Sequence, residues 1–445
     1  MKKRMKRITA MILAGIVFSL AACGPSEQGA GDSGKTADGK TKIKITWWGG
    51  QSRHDYTQKM LDAYTKSHPD VEFEAIPAGW DGYFEKLSTQ AASGSMPDIV
   101  QMDYLYISTY AKNNSVADLQ PYIDDGTIDT SKVDKDLLNS GKIGGRMAGM
   151  VLSSSVLAVG YNPDVLQKAG VKAPASDWTW DDYIELNKKA SGATGKESAL
   201  IAAGVTGDTN VFNYWVRQHG GQLFNEDQTG LGFDDDSITA DYFSMWKKMM
   251  DENIAPDPDE FAQIKTLGDE ASPVVKGEAA TMIEWNNYTA KMSSVNDKLK
   301  LVTPPMGKQA DDKGLWIKPG MFFSVSEKSK VKKACAEFIN WFINSEEAND
   351  IMMAERGTPV SSDIRQYMVD SGNLSPQQVD MFNYIDQAEK LSGTTPAPDP
   401  GGIAEINEAF NNAGNTVFYG QASPEEAAKA FRANVKEILA RNSQG

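Results

Sequence analysis

The chain has 445 residues, 40% hydrophobic and 24% charged, with a formal net charge of −15. That acidic balance excludes a nucleic-acid surface built on excess basic charge and argues against adsorption to anionic lipid. Two cysteines, Cys23 and Cys335, exclude a disulfide-rich scaffold, and the length allows two hydrophobic cores.

Met1-Lys2-Lys3-Arg4-Met5-Lys6-Arg7 is basic, Ile8 to Leu20 is almost wholly apolar, and Leu20-Ala21-Ala22 places small residues before Cys23. This order reads as a signal peptide over 1–22, with an apolar run short of the ~20 residues of a membrane span. The position of Cys23 matches the lipobox of bacterial lipoproteins. Cys23 is therefore the expected lipid attachment site, and the expected location is the extracytoplasmic face of the cell membrane, where two acyl chains hold stably. Losing Lys2, Lys3, Arg4, Lys6 and Arg7 takes the net charge from −15 to −20. With Cys23 acylated, Cys335 has no disulfide partner. It falls in the helical pattern Val331, Ala334, Cys335, Phe338, Trp341, Phe342 and reads as a small core residue. Residues 23–41 read as a lipid-attached flexible linker, dominated by Gly, Ser, Asp and Lys. Gly29, Gly34, Lys35 and Thr36 match P-loop spacing there, but without the strand and helix that aim backbone N–H groups at phosphate.

The folded part begins with a strand over 42–48, alternating Ile43, Ile45, Trp47 against Lys44, Thr46, Trp48. A helix follows with Tyr56, Met60 and Tyr64 on one face and Pro69 past its end. A strand over 71–76, a helix over about 81–92 with Phe84, Leu87 and Ala91 inward, and a strand over 98–103 come next. This alternation predicts an α/β chain with a parallel sheet wrapped by helices. Further on, Thr179 with Asp182, Ser345 with Glu346-Glu347, and Ser423-Pro424 with Glu426 predict helix starts. The last opens a stripe of Ala427, Ala428, Phe431, Val435, Ile438 and Leu439.

His54, His68 and His219 are far apart and show no metal-ligand spacing. No hydrolase or metalloprotease motif occurs. Asn225, Asp227, Thr229, Gly230 and Asp236 echo a calcium loop but read more simply as a polar turn. The expectation is no catalytic residue, no metal and no cofactor. The noticeable feature is the 10 Trp and 15 Tyr, many at strand ends. Trp47, Trp178, Trp180 and Trp341 read as core. Trp48, Trp80, Trp215 and Trp285 read as ligand-stacking residues, because a sugar ring presents a C–H face to an aromatic plane and a rim of hydroxyls to polar groups.

At this point "ITWWGGQSRHDYTQKMLDAY", "MPDIVQMDYLYISTYA", "WTWDDYIELNKKA", "VVKGEAATMIEWNN" and "PGMFFSVSEKSKVKKACAEFINWFINSEEANDIMMAERGTPV" come in a telling order. The chain resembles the extracellular solute-binding proteins of ABC importers that include maltodextrin-binding protein. The resemblance implies a two-lobed periplasmic-binding-protein-like fold of type II, with hinge strands between lobes. Lobe 1 would be 42–152 plus 320–362 and lobe 2 would be 155–315 plus 363–445, crossing near 152–156 and 319–323. It implies a monomeric binding protein, not an enzyme, that captures an oligosaccharide in the interlobe cleft and passes it to permease subunits. Asp103, Asn286 and Met321 would join the aromatics there. "WWGGQSRHDY", "GWDGYFEKL" and "ERGTPVS" resemble the subgroup associated with rhamnogalacturonan uptake in Gram-positive bacteria. Arg53, His54 and Arg356 would then be partners for a uronate carboxylate, the alternative being ion pairs with the protein's own acids. A neutral oligosaccharide, another small polar ligand, and a secreted polysaccharide-active enzyme are the competing readings.

Overall fold

The computed structural model describes residues 34–36, 38–80, 82–201, 209–266, 271–287, 292, 295–307 and 314–442. The expected signal peptide, Cys23 and most of the expected linker lie outside these residues. The linker's described end, 34–36 and 38–40, forms a turn in which Lys35 pairs with Thr41, so structure begins before the expected first strand.

Strand β1 (Thr41–Trp48) buries Ile43, Ile45 and Trp47, as its alternation predicts, and toward its end Thr46 and Trp48 are buried too, because the strand is covered on both faces there. Helix α1 (Gln51–Ser67) buries Tyr56, Met60, Leu61 and Tyr64 and ends at His68, before Pro69. Strand β2 (Val71–Ala78) and helix α2 (Tyr83–Ser93) follow, then the fully buried β3 (Ile99–Met102). Asp103 caps helix α3 (Tyr104–Lys112), accepting from the Leu105 N–H at 2.9 Å. A short ribbon of β4 (Lys142–Ile143) and β5 (Arg146–Met147) precedes β6 (Met150–Ser155) and β7 (Leu157–Tyr161). The capping box of Thr179 and Asp182 opens the helix Trp180–Thr194. Beyond it come β8 (Ala199–Ile201), the ribbon β9 (Gln222–Phe224) with β10 (Leu231–Gly232), β11 (Thr281–Trp285) and β12 (Lys300–Val302). The last strands are β13 (Lys318–Val325) and β14 (Thr358–Pro359).

These strands make two principal sheets, of order β14-β6-β13-β3-β1-β2 and β12-β7-β11-β8. Helices cover both, giving a two-lobed α/β architecture. The three strands of the first alternation pair in parallel, as expected, while strands later in the chain make both sheets mixed. β1 pairs parallel with β2 and β3, but β13 runs antiparallel to β3 and β6. The reason is connectivity: β13 enters the first sheet from the side of the second, between strands that leave it. Val156 alone separates β6 from β7, which lie in different sheets. Lys318 pairs with Ser155 and Pro319 with Ser154, so the two chain segments pass between the sheets side by side. Helices Ile403–Phe418 and Pro424–Asn442 pack on each other and on Ser237–Asp251. The predicted stripe from Ala427 to Leu439 is buried there, and Cys335 is buried as a free thiol.

Candidate ligand-binding cleft

A cavity of about 690 Å³ opens where the two sheets meet. Its walls come from Ser153, Ser154 and Ser155 at the end of β6, Lys318 to Met321 at the start of β13, and Asp103 to Leu105 at the start of α3. Facing them are Leu200 of β8, Glu284 and Trp285 of β11, and Asn287 just beyond. Arg356 and Gly357 also line the cavity, as do Asp399, ahead of helix Ile403–Phe418, and Asn407 within that helix. The cleft therefore sits beyond the carboxyl ends of the parallel strands, the usual ligand position of open α/β sheets.

Two glycines shape the wall at Ser153. A Cβ on Gly320 would lie 2.3 Å from the Ser153 hydroxyl oxygen. Gly357, at φ +110, would bring one within 3.2 Å of the Ser153 Cβ. Register shifts between Pro319 and Phe322 mark a bulge at Gly320, which re-aims the side chains on either side. Ser153 Oγ and Asn287 Oδ1 are buried without a hydrogen-bond partner. Unpaired buried polar atoms are costly, and on a cleft wall they are pre-placed for a polar ligand.

Trp285 is 6% exposed, with Trp316 edge-on at 6.1 Å and the Lys318 ammonium 4.5 Å from its ring centroid. Glu284 accepts from the Trp285 N–H at 2.8 Å, which fixes the strand end. Burial pushes the Asp103 carboxyl above its ordinary value, against the opposing pull of the Leu105 N–H and Lys318. Burial likewise lowers Arg356 to about 10. Arg356 donates to Gln101, to Thr57 Oγ1 at 3.0 Å and to Met321 Sδ at 3.6 Å. Its guanidinium lies among the rings of Tyr56, Phe323 and Phe342. Arg356 has no carboxylate at ion-pair distance among the described residues.

Asp103, Trp285, Met321 and Arg356 thus meet in one cleft, whereas six other expected residues stand outside its lining. Trp48 is 7% exposed and packs edge-on against Trp80 and Tyr83. Trp80, on that cluster's outer side, is 47% exposed. Arg53 pairs with Glu355, Nε to Oε2 at 3.1 Å and Nη2 to Oε1 at 3.2 Å, so for this residue the ion-pair alternative is what the structure holds. His54 Nδ1 accepts from the Trp47 indole at 3.1 Å. Trp215 donates to the Ile238 carbonyl at 2.9 Å and packs on Trp180 and Tyr242, joining the core of the second lobe. Asn286 is fully buried and exchanges hydrogen bonds with Val156, its Oδ1 accepting from the Val156 N–H at 2.9 Å. Its neighbour Asn287 faces the cavity instead. In the calcium-like turn, Asn225 Oδ1 accepts from the N–H groups of Thr229 and Gly230, while Asp236 binds Arg432.

Ser153 to Ser155, Lys318 and Asn287 were not expected in the cleft. The serine run lies in the predicted crossover span, and that coincidence was the available signal. Among the described residues the lining mixes an aromatic plane with hydroxyls, amides, carboxylates and two cations, and holds no histidine or cysteine. Such a wall holds a polyhydroxylated ligand through many directional contacts.

Comparison with known proteins places this architecture. A family model for bacterial extracellular solute-binding proteins matches residues 50–349. The solved structure of an extracellular solute-binding protein of family 1 from Alicyclobacillus acidocaldarius is 30% identical. The match covers 90% of this chain and 98% of that one, with a TM-score of 0.79. A periplasmic oligogalacturonide binding protein from Yersinia enterocolitica is 25% identical over 90% of this chain and 99% of its own, with a TM-score of 0.76. A maltooligosaccharide ABC transporter solute-binding lipoprotein from Streptococcus pneumoniae is 22% identical over 437 residues, 94% of each chain.

Proposed function

The chain belongs to the bacterial extracellular solute-binding protein family, and from that premise we propose that it captures an oligosaccharide in the cleft and delivers it to the permease of an ABC importer. The observation that carries this reading is the cleft wall itself. Trp285 offers an aromatic plane, and Ser153 Oγ and Asn287 Oδ1 offer buried, unpartnered polar atoms beside it. The oligosaccharide specificities in the names of two similar proteins support it.

In this reading the protein is a binder and not an enzyme, monomeric, and held at the extracytoplasmic face by lipid on Cys23. The lobes divide at the paired crossing segments around Ser155 and Lys318. Asp103, Ser153, Trp285, Asn287 and Lys318 contact the ligand, with Met321 and Arg356 behind them. An acidic, pectin-derived oligosaccharide is the favoured ligand, on the strength of the oligogalacturonide-binding relative and of the Lys318 ammonium in the cleft.

A thermal-shift screen against plant-wall and storage oligosaccharides, followed by calorimetry, tests the proposal. Ligand at a hundred times Kd should stabilise the protein by about 2.7 kcal/mol. Closure of the lobes should also reduce the radius of gyration in solution scattering. Absence of stabilisation by every sugar would reject the reading, and turnover of a bound sugar would favour the enzyme alternative.

A further inference from the structure

Three cations come into question as readers of a ligand's negative charge, and their surroundings separate them. Arg53 is bound to Glu355. Arg356 is buried, with its terminal nitrogens engaged by Gln101, Thr57 and Met321. Lys318 differs from both. It lines the cleft, is half-buried, and among the described residues makes no ion pair or side-chain hydrogen bond. Its ammonium rests instead on the ring of Trp285, 4.5 Å from the centroid. Trp316 stands edge-on to the same indole, and its ring centroid is 6.1 Å away.

We propose that Lys318 is a displaceable plug on the stacking face of Trp285, and that on binding it leaves the ring to become the counter-ion of a ligand carboxylate. The proposal rests on the oligosaccharide reading above. Its logic is an exchange. A sugar ring that stacks on Trp285 must first remove the ammonium and lose the cation–π contact. A neutral sugar offers the displaced ammonium only hydroxyls, whereas a uronate offers it a charge-assisted hydrogen bond. The same residue therefore weakens neutral ligands and strengthens acidic ones, which is discrimination by a repulsive and an attractive element together.

The rest of the cleft does not supply this preference. Asp103, Glu284 and Asp399 line it against Lys318 and Arg356, so its summed charge does not favour an anion. Selection for a carboxylate has to be local, at the one ammonium that, among the described residues of the lining, makes no ion pair. The position of Lys318 fits that role. It begins β13 opposite Ser155, where the chain passes between the sheets, and lobe closure carries it with the hinge ribbon.

The test is calorimetry on the mature protein with digalacturonic acid and with its carboxyl-reduced neutral analogue, for wild type, Lys318→Met and Lys318→Arg. Thermal melts establish that each variant is folded. Lys318→Met should bind the acid about tenfold or more weakly. It should bind the reduced analogue about two- to tenfold more tightly, because the plug is gone. Lys318→Arg should keep the wild-type preference. Equal changes for the two probes in Lys318→Met, or no change for either, overturn the proposal. A wild type that takes only neutral sugars overturns it and leaves the oligosaccharide reading standing. A wild type that takes no sugar overturns both.

Discussion

Replacing Asn286 by Ala tests whether the passage between the sheets is held by this one amide. Asn286 Oδ1 accepts from the Val156 N–H at 2.9 Å, and the Asn286 N–H donates to the Val156 carbonyl at the same distance. Val156 is fully buried, so deleting the acceptor strands its N–H away from water. That costs about 1–3 kcal/mol. The substitution also removes Asn286 Nδ2, a buried donor with no partner, which offsets part of the loss. The net expectation is a destabilisation of about 1–2 kcal/mol. The effect should be local as well as global, because the backbone half of the exchange remains. Hydrogen exchange of the Val156 amide should quicken by roughly tenfold for each 1.4 kcal/mol, beyond the change at amides in the middle of β3. Denaturant unfolding supplies the global figure. An unchanged Val156 exchange rate together with an unchanged midpoint would refute the reasoning. Equal acceleration at every amide would show that Asn286 supports the fold in general and not this crossing.

Glu355→Gln should destabilise the protein near neutral pH by about 1 kcal/mol. Burial raises this carboxyl, but hydrogen bonds from Tyr56 and Arg53 outweigh it and hold the group below its ordinary 4.5. The stabilisation is thus present above about 4.5 and lost as pH falls through the folded value. Melting temperatures of wild type and variant should converge in acid, and a constant gap across pH would contradict this. Trp215→Ala should lower stability by about 2–3 kcal/mol, somewhat less than for a fully buried Trp, and leave sugar affinity in the folded protein unchanged. Unaltered melting with weakened binding would return Trp215 to the ligand. Cys23→Ala should leave the protein as precursor or release it to the medium, read by fractionation and immunoblot, whereas mature protein retained in the membrane would reject the lipid anchor.

Much of the fold was legible because local signals carried it. The alternation of Ile43, Ile45 and Trp47 and the capping pairs Thr179–Asp182 and Ser423–Glu426 depend only on near neighbours. The antiparallel insertion of β13 between β3 and β6 depends on partners remote in sequence and leaves no periodicity to read. The cleft divides the same way. Asp103 stands at the end of a strand that the pattern revealed, and Trp285 was singled out as an aromatic before its strand was known. Ser153 and Lys318 are ordinary polar residues in a strand until the sheets bring them together. Arg53 could not be assigned because its partner Glu355 is distant in sequence. Trp215 was readable in principle: it lies four residues beyond Val211 and three beyond Phe212, on their side of the helix, and packs partly buried against the core. Asn286 and Asn287 differ by a single position at the end of β11, and such a step reverses which side chain meets the cavity.

The interleaving of the two sheets also governs how the chain can be made. β13 is a central strand of the first sheet, yet it follows every strand of the second. A nascent chain that has emerged only as far as Val302 has all four strands of the second sheet but leaves β3 and β6 without the strand that joins them. Their facing edges then present unpaired backbone groups, the template on which chains aggregate. The polypeptide consequently cannot lock its first lobe until residue 325 is free to fold. A thread that stays open this long is well suited to transport before folding, and a product truncated short of β13 should be found with chaperones or in aggregates instead of as a stable half-molecule.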